Sequence, residues 1–203
     1  MIDPSLLGGA LTGRMTFRPG AAPASDPLSP GRHALSFAEG REAVLVVPEN
    51  LPVDTPLPLL VMLHGAGGEA NRVLPHFVAH ARARRLLLLA PQSMYRTWDI
   101  VIGGHGPDLE RLDAALFRVA EHFRLDPERL AFAGFSDGGS YALSLGLTNG
   151  DVSSHVIGMS AGFMNAFTQT GAPRVFLAHG RSDSQLPIET SAHTNARRLL
   201  ESG

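Results

Sequence analysis

Gly134-Phe135-Ser136-Asp137-Gly138-Gly139 places a serine between glycines in a G-x-S-x-G pattern with one further glycine. A serine held on a sharp turn between a strand and a helix projects its Oγ from the backbone, and the flanking glycines let neighbouring chain segments approach without a Cβ clash. That is the requirement of a nucleophile in acyl transfer. Two other stretches carry the remaining functions. His64-Gly65-Ala66-Gly67-Gly68 is a glycine-rich loop able to present backbone N–H donors to a developing oxyanion, with Ala66 N–H and Asp137 N–H as the candidate pair. His179-Gly180-Arg181-Ser182-Asp183-Ser184-Gln185-Leu186-Pro187 contains Asp183, a carboxylate placed to orient and polarise an imidazole.

Each feature has a plainer reading. The serine turn can be an ordinary strand-to-helix turn, and Asp183 an acid near a helix N-terminus. The glycine-rich loop can cradle phosphate, but neither G-x-x-x-x-G-K-[ST] nor G-x-G-x-x-G is present and the chain contains no lysine. His64 reads as a support of its own loop. His76 and His80 have the i, i+4 spacing of helical metal ligands, yet no third ligand and no H-E-x-x-H pattern accompany them, so no metal site is expected. His33, His122 and His155 read as ordinary strand or helix residues.

These residues need strands that end beneath them. Leu59 to Leu63 and Leu86 to Leu89 are continuous apolar runs of strand length, suited to a parallel sheet covered on both faces. Arg129 to Ala133, His155 to Met159 and Arg174 to Ala178 read as further strands, and His33 to Phe37 with Ala43 to Val47 as a hairpin turning at Glu39-Gly40-Arg41. Helices are expected over 69 to 84, over Gly138 to Leu147 and over Ile188 to Leu200, with 91 to 106 as loop. Leu109, Leu112, Leu116, Val119 and Phe123 mark one face of another helix beginning after Pro107. Alternating strands and helices imply an α/β fold with a mostly parallel sheet, whose chemistry gathers at the carboxyl ends of the strands. In the loops there, Met94, Tyr95, Trp98, Phe163, Met164 and Phe167 either line an apolar pocket or pack the loops onto the core, two readings that stay equally open for each, with His105, Trp98 and Met164 as candidate substrate contacts.

Residues 1 to 31, rich in Pro, Gly and Ala, read as an arm lying over the domain or partly disordered, and 32 to 203 as the domain itself. The chain has 203 residues, 44% of them apolar, enough for one buried core, and its formal charge of -2 supplies no field for nucleic acid. There is no cysteine for disulfides or thiolate chemistry. With no signal-like N-terminus and no membrane-length apolar run, a cytoplasmic location is the expectation.

The HGAGG loop, the GFSDGG turn and the HGRSDSQLP loop together resemble the phospholipase/carboxylesterase group of the α/β-hydrolase superfamily, which includes acyl-protein-thioesterase-like and feruloyl-esterase-like enzymes. The resemblance covers about residues 32 to 203. It implies an α/β-hydrolase fold, a nucleophile at Ser136, an acid at Asp183, oxyanion donors at Ala66 and Asp137, and hydrolysis of small-molecule carboxylic esters without cofactor. It also implies a histidine one helix and one strand after the acid, and the sequence shows neither that strand nor that histidine. The fold is therefore expected to be C-terminally incomplete. His193 falls in the expected last helix and His105 in the loop after 86 to 89; neither is well placed as the base. Three readings follow: a serine carboxylesterase, a non-catalytic binding protein on the same fold, or an enzyme whose histidine comes from a missing segment or a partner chain. The open sheet edge suggests homodimerisation.

Overall fold

The computed structural model describes residues 12–37, 41–52, 54–166 and 168–202. Of the sequence expectations, Glu39 and Gly40 of the hairpin turn, Phe167 and the first eleven residues of the arm lie outside them.

Seven strands form one sheet in the order β1-β2-β4-β3-β5-β6-β7. They are β1 (Gly31–Leu35), β2 (Ala43–Val47), β3 (Leu57–Leu63), β4 (Leu87–Ala90), β5 (Leu125–Phe135), β6 (His155–Met159) and β7 (Arg174–Ala178). β4, β3, β5, β6 and β7 run parallel, while β2 runs antiparallel to both β1 and β4. The helices are α1 (Ala70–Val73), α2 (Pro75–Arg84), α3 (Asp99–Ile102), α4 (Pro107–His122), α5 (Asp137–Thr148) and α6 (Ala192–Ser202).

Alternation of side chains along the strands sends one set to each face. Leu59, Val61, Leu63, Leu87, Leu89, Leu130 and Phe132 pack with Leu109, Leu112, Leu116 and Val119 of α4 and with Tyr141 and Leu145 of α5. Val46, Met62, Leu88 and Ala133 turn the other way, against Leu74 and Ala81 of the α1 and α2 region. The apolar stripe read along 109–123 is thus the buried face of α4.

The first strand of the hairpin, expected over His33 to Phe37, lies two residues earlier as β1, and four other boundaries differ for local reasons. The helix expected over 69 to 84 is two, because Pro75 has no N–H to donate and begins a new helix at its first position. β5 starts at Leu125, ahead of Asp126-Pro127-Glu128, and its pairing with β3 shifts register between Leu57 and Leu59 to absorb that segment. The last helix begins only at Ala192. Within 91–106, expected as loop, α3 forms a short helical turn.

Residues 12–30 lie against the domain. Met15 and Phe17 are buried, with Phe17 edge-on to Phe117 at 5.2 Å. Arg14 donates to both carboxylate oxygens of Asp151 at 2.8 and 2.7 Å, and the Asp113 carboxylate accepts from the N–H groups of Thr16 and Phe17. Pro19, Pro23, Pro27 and Pro30 disfavour regular structure over 19–30, while Met15 and Phe17 anchor the segment. Phe17→Ala is expected to lower unfolding free energy by about 3 to 5 kcal/mol in urea denaturation.

Candidate active site

Ser136 joins β5 to α5 with φ 55° and ψ -120°, a conformation that a non-glycine residue rarely adopts. Close packing forces it. A Cβ on Gly134 would stand 2.0 Å from Gly138 O, and one on Gly138 would stand 2.3 Å from Leu63 O. The turn is held by Ser136 N–H donating to Met159 O at 2.9 Å and by Ser140 N–H donating to Ser136 O at 2.9 Å. Asp137 opens α5, so its N–H lies among the first-turn donors that have no intrahelical carbonyl.

The 64–68 loop follows β3 and packs beside the serine: a Cβ on Gly65 would lie 3.4 Å from Ser136 Cβ. Gly67 N–H donates to Arg96 O at 2.6 Å and Gly68 N–H to Gly65 O at 3.0 Å. Those two donors are committed, and Ala66, exposed at the turn, offers the N–H at its tip. His64 supports the loop with both ring nitrogens. Its Nδ1–H donates to Gly65 O at 2.8 Å, and Nε2 accepts from Ser93 N–H at 3.2 Å and from Gln92 at 3.1 Å. Burial lowers its pKa, in keeping with a neutral ring.

Asp183 lies in the loop after β7. Its Oδ1 accepts from Leu186 N–H and Gln185 N–H, each at 3.0 Å. The Leu186 N–H above all, with the Gln185 N–H, His179 and the Ser160 hydroxyl, holds this carboxyl below its ordinary pKa, so it is ionised at neutral pH. His179 Nε2 is 2.6 Å from Leu186 O and 3.5 Å from Asp183 Oδ2, which makes it a brace of the acid loop. Ser136 and Asp183 end β5 and β7, with β6 between them. Two strand spacings set the backbones roughly 10 Å apart, and an imidazole hydrogen-bonded at each nitrogen, spanning about 8 Å, can bridge side chains that lean inward from both. Ser136 Oγ has no histidine partner among the described residues. His193, in the first turn of α6 and not deep within the helix, is exposed.

Two clefts flank the 64–68 loop. One of about 360 Å³ is lined by Met62, Val73, Phe77, Phe135 and Met159, and one of about 570 Å³ by Arg41, Glu69, Asn71, Gln92, Tyr95 and Arg96. The apolar one is not built from the residues expected for it. Trp98 is no substrate contact: it is 1% exposed, its ring lies between His64 and Tyr141, and its Nε1–H donates to His64 O at 2.7 Å. Met164 is buried with Leu143 and Leu147 beneath α6. His105 has its ring against Gly13 and its nitrogens shielded from solvent, and burial lowers its pKa. Phe163 packs on the main core. The signal for the apolar cleft was Phe135, inside the serine motif itself, whose side chain shares the face of Ala133.

Asp99 and Asp108 form a buried pair that sequence reasoning missed. Asp108 accepts from Met94 N–H at 2.7 Å and Asp99 N–H at 2.8 Å; Asp99 accepts from Gly106 N–H at 2.8 Å and Asp108 N–H at 2.9 Å. The pair closes the 94–108 segment onto the start of α4.

A mostly parallel sheet with helices on both faces and a strained serine turn after an interior strand is the α/β-hydrolase fold. Solved structures of that fold superpose on it: an acetyl xylan esterase from Aspergillus awamori with TM-score 0.68 at 13% identity, over 83% of this chain and 78% of that one, and a ferulic acid esterase from Anaeromyces mucronatus with TM-score 0.61 at 16% identity, over 85% and 79%. In sequence the chain is similar to a probable feruloyl esterase C of Aspergillus oryzae, 28% identical over 157 residues, 73% of this chain and 57% of that protein. It is also similar to one of Aspergillus niger, 26% identical over 184 residues, 87% and 66%. The chain thus spans 57 to 66% of the length of these relatives. No family model matches it. No described helix is long and apolar enough to cross a membrane.

Burial raises the Asp108 pKa from 3.8 to about 6. Between those values the folded state retains a proton that the unfolded chain has lost, so this contribution to stability is present below about pH 4 and is lost as pH rises through about 6. Relative to Asp108→Asn, the unmodified protein is expected to lose about 2 kcal/mol of unfolding free energy between pH 4 and pH 7, read from denaturant titrations at both pH values.

Proposed function

We propose that this chain carries the nucleophile, oxyanion and acid elements of a serine carboxylesterase acting on small-molecule esters. The observation that carries the proposal is the positive-φ Ser136 at the β5-α5 turn, beside the 64–68 loop and two strands from an ionised Asp183. In this scheme Ser136 Oγ attacks the ester carbonyl, and Ala66 N–H and Asp137 N–H donate to the oxyanion as it develops. Collapse of the tetrahedral intermediate expels the alcohol and leaves an acyl group on Ser136; water then releases the acid. Asp183 orients the imidazole that takes the Oγ proton and returns it to the leaving alcohol. In this scheme that imidazole sits over the carboxyl end of β6, between Ser136 and Asp183, and is supplied from outside the described residues, by a further segment or a partner chain. The names of the similar proteins make feruloyl esters the first substrates to test.

A non-catalytic binding protein is the competing reading, favoured by the lack of a histidine partner for Ser136 among the described residues. An activated aryl ester separates the two. In buffer containing imidazole to stand in for the absent base, the esterase reading expects a burst of alcohol release and covalent labelling by a fluorophosphonate, both abolished by Ser136→Ala. Equal signals from the unmodified protein and the variant, or none from either, would reject it.

Association is the second part of the proposal. β7 is an edge strand, and Phe176 on it is 61% exposed. Unpaired backbone groups and an exposed aromatic side chain there support homodimerisation across that edge. Sedimentation should show a dimer that Phe176→Asp dissociates; a monomer at all concentrations counts against it.

A further inference from the structure

We infer that Arg96-Thr97-Trp98 is a positioning bridge that sets the spacing between the two halves of the oxyanion site, with Thr97 as its contact to the serine turn. This rests on the esterase reading, since the donors concerned are Ala66 N–H and Asp137 N–H. They belong to different chain segments, one after β3 and one opening α5, yet they must converge on one oxygen at hydrogen-bond distance.

Three successive residues tie those segments together. Arg96 O accepts the Gly67 N–H at 2.6 Å, on the far side of Ala66. Trp98 Nε1–H donates to His64 O at 2.7 Å, on the near side. The 65–66 stretch is therefore bracketed by bonds to one short strip of chain, a carbonyl at Arg96 and the indole N–H of Trp98. Between them, Thr97 Oγ1–H donates to Asp137 Oδ2 at 2.5 Å, fixing the residue that carries the second donor. The Trp98 ring reinforces the link: its centroid lies 4.8 Å from His64 and 5.1 Å from Tyr141, on the first turns of α5, with the latter pair stacked at 14°. The next residue is anchored in turn, as Asp99 N–H donates to Asp108 Oδ2 at 2.8 Å. Thr97 acts through Asp137 and is a positioning residue.

Thr97→Val removes the hydroxyl at nearly constant volume, and Thr97→Ser retains it. Two measurements on the full chain test the bridge. The first is the second-order rate of labelling by an aryl fluorophosphonate in imidazole-containing buffer, which supplies the base. The second is hydrogen exchange of the Trp98 indole N–H, which gives one resonance because the chain has one tryptophan. Thr97→Val should label about 10-fold more slowly and exchange its indole proton about 10-fold faster, while its thermal midpoint stays within about 3 °C and Thr97→Ser stays near the unmodified protein in both. Labelling of Thr97→Val at the unmodified rate, or Thr97→Ser as slow as Thr97→Val, overturns the bridge while leaving the esterase reading intact. Should the unmodified protein not label at all, the esterase reading fails; indole exchange then decides, acceleration in Thr97→Val sustaining the bridge and an unchanged rate overturning it.

Discussion

The site depends on how closely three stretches of backbone pass one another at the end of β5. The start of α5 lies against both β3 and β5, so near that any side chain at Gly134 or Gly138 would overlap a carbonyl of the neighbouring segment. The chain can then turn from strand to helix only by placing Ser136 at positive φ, a conformation costing about 1 to 3 kcal/mol. Burial of α5 offsets it: Gly138 to Thr148 are all buried, and their contacts exist only when the helix starts this close to the sheet. The strain at the serine is thus a consequence of tight helix-sheet packing, and the 64–68 loop packs against the same turn through Gly65.

How far this was legible in the sequence varied with the kind of interaction. Interior strands announce themselves, because Leu59 to Leu63 and Leu87 to Leu89 must be apolar on both faces. The serine turn was legible because its glycines are dictated by sterics, which leaves a residue-type signature. The register shift in β5 was hidden: Asp126-Pro127-Glu128 looks like a loop, and only its pairing partner makes it part of a strand. Residues 12–30 were equally opaque, since composition reports the prolines but not that Met15 and Phe17 insert into the core.

Trp98 is the most instructive failure. An aromatic residue in a long loop at the active end of the sheet fits a pocket wall and a structural wedge equally well, and its inward orientation is set by Asp99 and Asp108. Those two carboxylates accept backbone N–H groups of the same segment, bonds that follow no helical or strand period. Sequence patterns detect repeating burial; they do not detect a single side chain that satisfies an irregular backbone. For the same reason the candidate substrate contacts, picked for type and loop position, were the part of the site least well placed.

Burying two carboxylates beneath the loop is not explained by stability, because desolvation raises both pKa values and makes the ionised forms costly. A carboxylate differs from any apolar replacement in offering several acceptor positions at once, and this segment has four N–H groups, those of Met94, Asp99, Gly106 and Asp108, for which no regular secondary structure supplies carbonyls. Ionisation strengthens those bonds and weakens the fold by the same charge. The frame that carries Thr97 and Trp98 is therefore most firmly held in the protonation state that is least favourable to global stability, which is the trade a protein makes when the geometry of a loop matters more than its contribution to folding.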